Sequence, residues 1–224
     1  MSKKLDEARK LIDQKKIYGV DEGIELAKKT STAKFDASID LHIRLGINTA
    51  KSDQQVRATV ILPHNTGKSK KVMAIVSADK QKDATEAGAE IVGGEELIDQ
   101  IAKTGKCDFD IAVATPDMMP KLAKVAKILG PKGLMPNPKT ETVGPNVKKM
   151  VEEVKKGKVT FKNDDTGNIH QQIGKVSLEN EKIKENLQVV MDAVKKAKPA
   201  GTKGAFIQNI YLVTSMGPSI KISI

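Results

Sequence analysis

The sequence predicts a two-domain α/β and α+β protein. A discontinuous α+β domain is built from both termini (1–66 and 158–224), and a Rossmann-like parallel α/β domain (67–157) is inserted into it. Three observations predict this. Near the ends, apolar residues alternate with polar ones, as in SIDLHIRLG, the pattern of a strand with one wet face. In the middle, VMAIVS and FDIAVATP are apolar at consecutive positions, as expected of strands covered on both faces. The middle also runs strand, helix, strand, helix, strand, helix, the order of a parallel α/β unit.

The elements follow from local pattern. Leu5, Ala8, Leu11 and Ile12 sit at helical spacing and predict a helix over 3–14. Asp21 is placed to cap a second helix reaching about Lys29, with Ile24, Leu26 and Ala27 on its apolar side. Ile39, Leu41, Ile43 and Leu45 alternate with Asp40, His42 and Arg44, and VRATVIL (56–62) reads as the partner strand. In the insert, strands are expected at 72–77, around Ile91 and Val92, and at 109–116. Helices are expected at 79–87, 95–103 and from Asp117 through Leu129. GPKGLMPNPK (130–139) breaks any regular element with its glycines and prolines. A helix over 147–156 precedes two strands, VTF and NIHQQIGKV, on either side of the turn NDDTG. A long amphipathic helix (181–196) and the strands FIQNIYLVT and IKISI, joined by SMGPS, complete the chain.

Composition excludes several classes. Lys plus Arg total 38 against 28 acidic residues, a formal charge of +10, and only Arg9, Arg44 and Arg57 are arginine. A surplus of this sign favours polyanions, because neutralised phosphates release counterions, but it is spread along the chain, so any basic face must be assembled by folding. The lone Cys107 cannot form an intrachain disulfide, and three dispersed histidines show no metal spacing. No apolar run approaches the ~18 residues of a membrane span, and MSKKLDEARK lacks the apolar core of a secretory signal, so the expected location is cytoplasmic. Gly67-Lys68-Ser69 resembles the end of a phosphate-binding loop. However, the glycine that motif needs five residues earlier is Leu62, and a strand rather than a helix follows. No G-x-G-x-x-G opens the insert and no nucleophile is paired with a base. An enzyme, a metal site and a cofactor are therefore not expected.

Three segments carry more information. TAKFDAS (32–38) spends one of four phenylalanines, Phe35, in a polar loop beside Lys34, as a staple onto the core or as a contact for a partner. SMGPS (215–219) offers hydroxyls, a flexible Met216, and Gly217, where a backbone can approach a ligand closely. FKNDDTGNIH (161–170) carries hydroxyl, amide and backbone groups of the kind that read sugar edges and phosphates. With LPHNTGK, VGGEELI, ATPDMM and ILGPKGLMPNP, these segments resemble the ribosomal protein L-one family over nearly the whole chain.

The resemblance implies the split domain with its insert and no enzymatic activity. It implies binding of the discontinuous domain to large-subunit ribosomal RNA at the mobile stalk. It also implies help in releasing deacylated transfer RNA from the exit site, and repression of the protein's own operon through the messenger leader. The free protein is expected to be a monomer without a membrane partner. Carried over residue by residue, the RNA-binding positions are Lys34, Phe35 and Ser38; Ser215, Met216 and Gly217, with serine where the family usually has threonine; Thr166, Gly167 and His170; and Lys51, where other members carry arginine.

Overall fold

The computed structural model describes residues 3–13, 15–49, 51–67, 71–199, 201–202 and 204–223. In chain order the elements are α1 (Lys3–Lys10), α2 (Val20–Lys29), β1 (Ser38–Leu45), β2 (Arg57–Ile61), β3 (Val72–Ile75), α3 (Gln81–Glu86), β4 (Ile91–Gly93), α4 (Glu95–Thr104), β5 (Ile111–Ala114), α5 (Met119–Leu122), α6 (Ala126–Leu129), α7 (Val147–Lys155), β6 (Lys158–Lys162), β7 (Asn168–Lys175), α8 (Asn180–Lys196), β8 (Ile207–Thr214) and β9 (Ser219–Ile222). They form two compact units, Met1–Gly67 with Thr160–Ile224, and Lys68–Val159. Among the described residues no helix is long and apolar enough to cross a membrane.

The first unit is built on an antiparallel sheet of order β7-β1-β8-β9. The alternation in SIDLHIRLG becomes two faces. Ile39, Leu41, Ile43 and Leu45 are buried, together with Ile169 and Ile173 of β7 and Ile210 and Leu212 of β8. Helices α2 and α8 pack on this side, with Ile24, Ala27, Ile183, Leu187, Val190 and Val194 buried. The opposite face carries Asp40, His42 and Arg44. The sheet order corrects one expectation: β2 does not pair with β1, whose two edges are taken by β7 and β8, but forms a two-stranded sheet with β6. Just past β6, the NDDTG turn meets β7 through a bridge between Asn163 and Ile169 and through the Asp164 N–H, which donates to the Asn168 carbonyl at 2.8 Å.

Helix ends also differ from the sequence pattern. Gly19, not Asp21, is the N-cap of α2, and Asp21 lies in the first turn, where its charge still favours the positive helix end. Helix α1 ends at Lys10, and Leu11 is 61 % exposed although Ala8 and Ile12 are buried. Gln14, Lys68, Ser69 and Ile224 lie outside the described residues, and with them the core of the Gly67-Lys68-Ser69 motif and the end of the last strand.

The second unit holds a parallel sheet of order β4-β3-β5. All four residues of β3 are buried, as its consecutive apolar positions require. Met73, Ile75, Ala112 and Ala114 pack on one side with Ile98, Leu122, Val125 and Leu129. Val72, Ala74 and Val113 pack on the other with Val147, Met150, Val151 and Val154. The stretch expected as one helix from Asp117 to Leu129 alternates 3₁₀ and α turns, with Met118, Leu122, Val125 and Leu129 inward. Lys158, with a side chain only 4 % exposed, is held by Glu141 and Glu153, each at 2.7 Å. Burial alone would lower its pKa, but the two carboxylates raise it.

Candidate nucleic-acid interface

The sequence-predicted residues gather at two places on the first unit, one at each end of β1. At the first end, Ser38 opens β1 and Ser215 follows β8. The Ser38 N–H donates to Ser215 Oγ at 3.2 Å, and the Ser215 N–H donates back to the Ser38 carbonyl at 3.0 Å. This reciprocal pair fastens the loop carrying Lys34 and Phe35 to the turn carrying Met216 and Gly217. The Ser215 hydroxyl supplies the hydrogen bond, so the loss of a threonine methyl leaves that contact intact.

Both segments present apolar groups to solvent: Phe35 is 60 % exposed and Met216 is 77 % exposed. Phe35 is therefore not a staple onto the core. The turn closes through the Gly217 N–H and the Thr214 carbonyl, 2.8 Å apart, and sets Met216 at φ 64°. Such a left-handed residue is usually glycine or asparagine, so Met216 is held out at some conformational cost. Gly217 is required for a different reason: a Cβ there would lie 2.2 Å from Thr214 Oγ1. On the Phe35 side, Asp36 accepts the hydroxyl of Ser177 at 2.9 Å and its N–H at 3.1 Å, with Lys175 Nζ at 3.6 Å. The Ser177 hydroxyl, chiefly, holds this carboxyl below its usual range. Lys34 and Phe35 thus project from a loop pinned at Asp36 and Ser38. A hollow of about 610 Å³, lined by Leu5, Arg9, Thr32, Met216 and Ser219 among others, lies beside the turn.

At the second end, Asp164 organises the loop into β7. It accepts the N–H groups of Thr166 (2.9 Å) and Asn168 (2.7 Å) and the Thr166 hydroxyl (2.8 Å), and its Oδ2 lies 3.4 Å from His170 Nε2. Burial would raise this carboxyl, but these hydrogen bonds together hold it far below the ordinary range. Gly167 takes φ 82° and gives its carbonyl to the Leu45 N–H. The Thr49 hydroxyl donates to the Asp165 carbonyl at 2.7 Å, bringing the loop that carries exposed Lys51 alongside. Thr166, Gly167, His170 and Lys51 therefore belong together, but they do not join Phe35 and Met216. The six steps from Ser38 to Arg44 at ~3.3 Å each place the two groups about 20 Å apart.

What joins them is the open face of the sheet. Register sets His42 between His170 and Tyr211, and Arg44 between Asn168 and Asn209. Tyr211 in turn faces Lys221. The Nδ1 atoms of His42 and His170 are 2.6 Å apart. Burial first, and the neighbouring His170 second, lower the His42 pKa against the opposing pull of Asp40. His42, Arg44, Asn168, Asn209 and Tyr211 were missed as candidate positions. The alternation in SIDLHIRLG already put His42 and Arg44 on the wet face, but cross-strand register, which short sequence patterns do not carry, decides what stands beside them. The resulting strip is polar, hydroxyl- and amide-rich, with exposed apolar groups at one end and cations along it. Chemically it suits a structured sugar–phosphate surface better than a small molecule.

The model of the family described as Ribosomal protein L1p/L10e family matches residues 27–218. "Large ribosomal subunit protein uL1" of Fervidobacterium nodosum is 49 % identical over 223 residues, covering 100 % of this chain and 95 % of the relative. The proteins of the same name from Thermosipho africanus and Kosmotoga olearia are 50 % and 52 % identical over 221 residues, each with 99 % of this chain and 95 % of the relative covered. With a family model spanning most of the chain and relatives about half identical along almost their full length, this chain belongs to the ribosomal protein L1p/L10e family.

Proposed function

We propose that this chain is a structural constituent of the large ribosomal subunit that binds ribosomal RNA at the mobile stalk through the discontinuous α+β unit. The names of its relatives support the ribosomal role, and as a family member it is not an enzyme. The observation that carries the RNA reading is the Ser38–Ser215 fastening, which fixes exposed Phe35 and Met216 on two pinned loops at one end of a polar sheet. A surface preformed in this way loses little conformational entropy on binding. Phe35 and Met216 pack against sugar or base faces, the Ser215 hydroxyl and the backbone near Gly217 reach 2′-hydroxyls, and Lys34 and Lys51 meet phosphates. The Thr166–His170 group and the sheet face extend the footprint.

The same surface serves the messenger leader of the protein's own operon, where a similar RNA fold would be held and translation repressed. On the ribosome, in the cytoplasm, the RNA-bound protein assists departure of deacylated transfer RNA from the exit site. Both roles rest on family membership. An electrophoretic shift assay with a stalk-RNA fragment and a leader fragment tests the reading. Wild type should bind both, and Met216→Asp should weaken both in parallel. Equal binding of variant and wild type removes Met216 from the interface.

A further inference from the structure

We infer that His42 and His170 form a two-imidazole site for a borderline divalent transition-metal ion such as zinc, on the open face of the β7-β1-β8-β9 sheet. The two residues stand directly opposite each other on adjacent strands, and their Nδ1 atoms are 2.6 Å apart. One ring donates a proton to the other there, so the two Nδ1 atoms already face one point, and the donor ring needs only to shift its proton to Nε2 for both to become ligands. Imidazole nitrogens bind zinc at about 2.0–2.1 Å, which places two cis ligands roughly 3 Å apart, so modest ring rotations convert the hydrogen-bonded pair into a chelate. Asp164 Oδ2 lies 3.4 Å from His170 Nε2. A carboxylate on the outer nitrogen fixes the tautomer and leaves Nδ1 as the ligand, the outer-shell arrangement typical of metal-bound histidine.

The protons balance. In the metal-free pair, His170 carries its proton on Nε2 toward Asp164 and His42 carries its proton on Nδ1. In the metal-bound pair both protons are on Nε2, the His42 proton having moved through water, and none is released. Among the described residues no group of three or more His, Cys, Asp or Glu side chains is arranged for a metal. Water therefore fills the remaining positions, in a hollow of about 270 Å³ also lined by Arg44, Asn168 and Tyr211. Those positions open on the side where the proposed RNA footprint lies, so a phosphate oxygen can replace a water. Metal binding by the RNA-free protein does not depend on that reading.

The test is a titration of the full chain, without RNA, with zinc chloride at pH 7.5, following histidine side-chain NMR resonances. Expected is a saturable shift of His42 and His170 together, at one ion per chain. Affinity should fall at least about tenfold, the scale even of a lost outer-shell partner, in both His42→Gln and His170→Gln. It should be unchanged in His64→Gln and Cys107→Ser. The inference is overturned if neither resonance shifts up to millimolar zinc, if only one of the two variants weakens binding, or if His64→Gln or Cys107→Ser abolishes it.

Discussion

Replacing Met216 probes the proposed interface with the least disturbance to the fold. Its side chain is 77 % exposed, so nothing in the interior depends on it. Fully burying a methionine side chain is worth about 1.5–3 kcal/mol, and three-quarters of that, roughly 1–2 kcal/mol, remains to be gained when RNA covers it. Met216→Gly forfeits this gain and should loosen binding by about 5- to 30-fold. Because φ at this position is 64°, glycine also relieves a left-handed strain of about 1 kcal/mol while adding backbone entropy to the unfolded chain. The free variant should therefore melt at or slightly above the wild-type temperature. Met216→Asp removes the same contact and sets a carboxylate against phosphates, for a total of about 3 kcal/mol or more, beyond 100-fold in Kd. Fluorescence anisotropy with a labelled stalk-RNA hairpin in 0.15 M salt reads these values, and thermal melts read stability. The reasoning is refuted if the aspartate variant binds within twofold of wild type, or if the glycine variant loses stability and affinity in proportion.

Phe35→Ala should cost about 1–3 kcal/mol of RNA affinity, the range for loss of an aromatic stacking partner, with the melting temperature nearly unchanged because the ring is already exposed. Lys51→Ala should cost about 1 kcal/mol or less and reduce the slope of log K against log salt by about one, measurable in a salt series. In the second unit, replacing Glu141 and Glu153 together with glutamine removes both carboxylates from the buried Lys158 ammonium and should destabilise the fold by about 3 kcal/mol in urea. The Lys158 hydrogen bond and charge lower the Glu141 pKa. Its contribution is therefore complete above the unfolded value near 4.3 and is lost as pH falls through the lower folded value. The double variant should lose less stability than wild type over that acid range, and a parallel acid profile for the two proteins would contradict the assignment.

Local pattern made most elements legible. The alternation of Ile39, Leu41, Ile43 and Leu45 fixed both the strand and its buried face, and the unbroken VMAI fixed a strand sealed on both sides. Partners were harder to read. The assignment of β2 beside β1 failed because pairing is a long-range choice, and β1 was already enclosed by strands from the far end of the chain. Leu11 had helical spacing and no core to meet, since the helix stops at Lys10. Asp21 looked like a cap because acidic residues also favour the first turn, where the helix dipole is positive. Among the site residues, Phe35 and Met216 were singled out by their place in a polar loop and a turn and by the family resemblance. The bonds from Ser215 to Ser38 span the sequence and could not be read from it. His42 was visible as a wet-face residue, but its contact with His170 depends on register.

The central claim is that RNA recognition resides in the unit formed by the two termini. The most direct measurement is the affinity for stalk RNA of a chain whose residues 67–157 are replaced by a short linker. The account predicts a Kd within about threefold of the full chain, a change well under 1 kcal/mol. Loss of binding by a folded linker variant, with binding retained by the isolated middle segment, would contradict it.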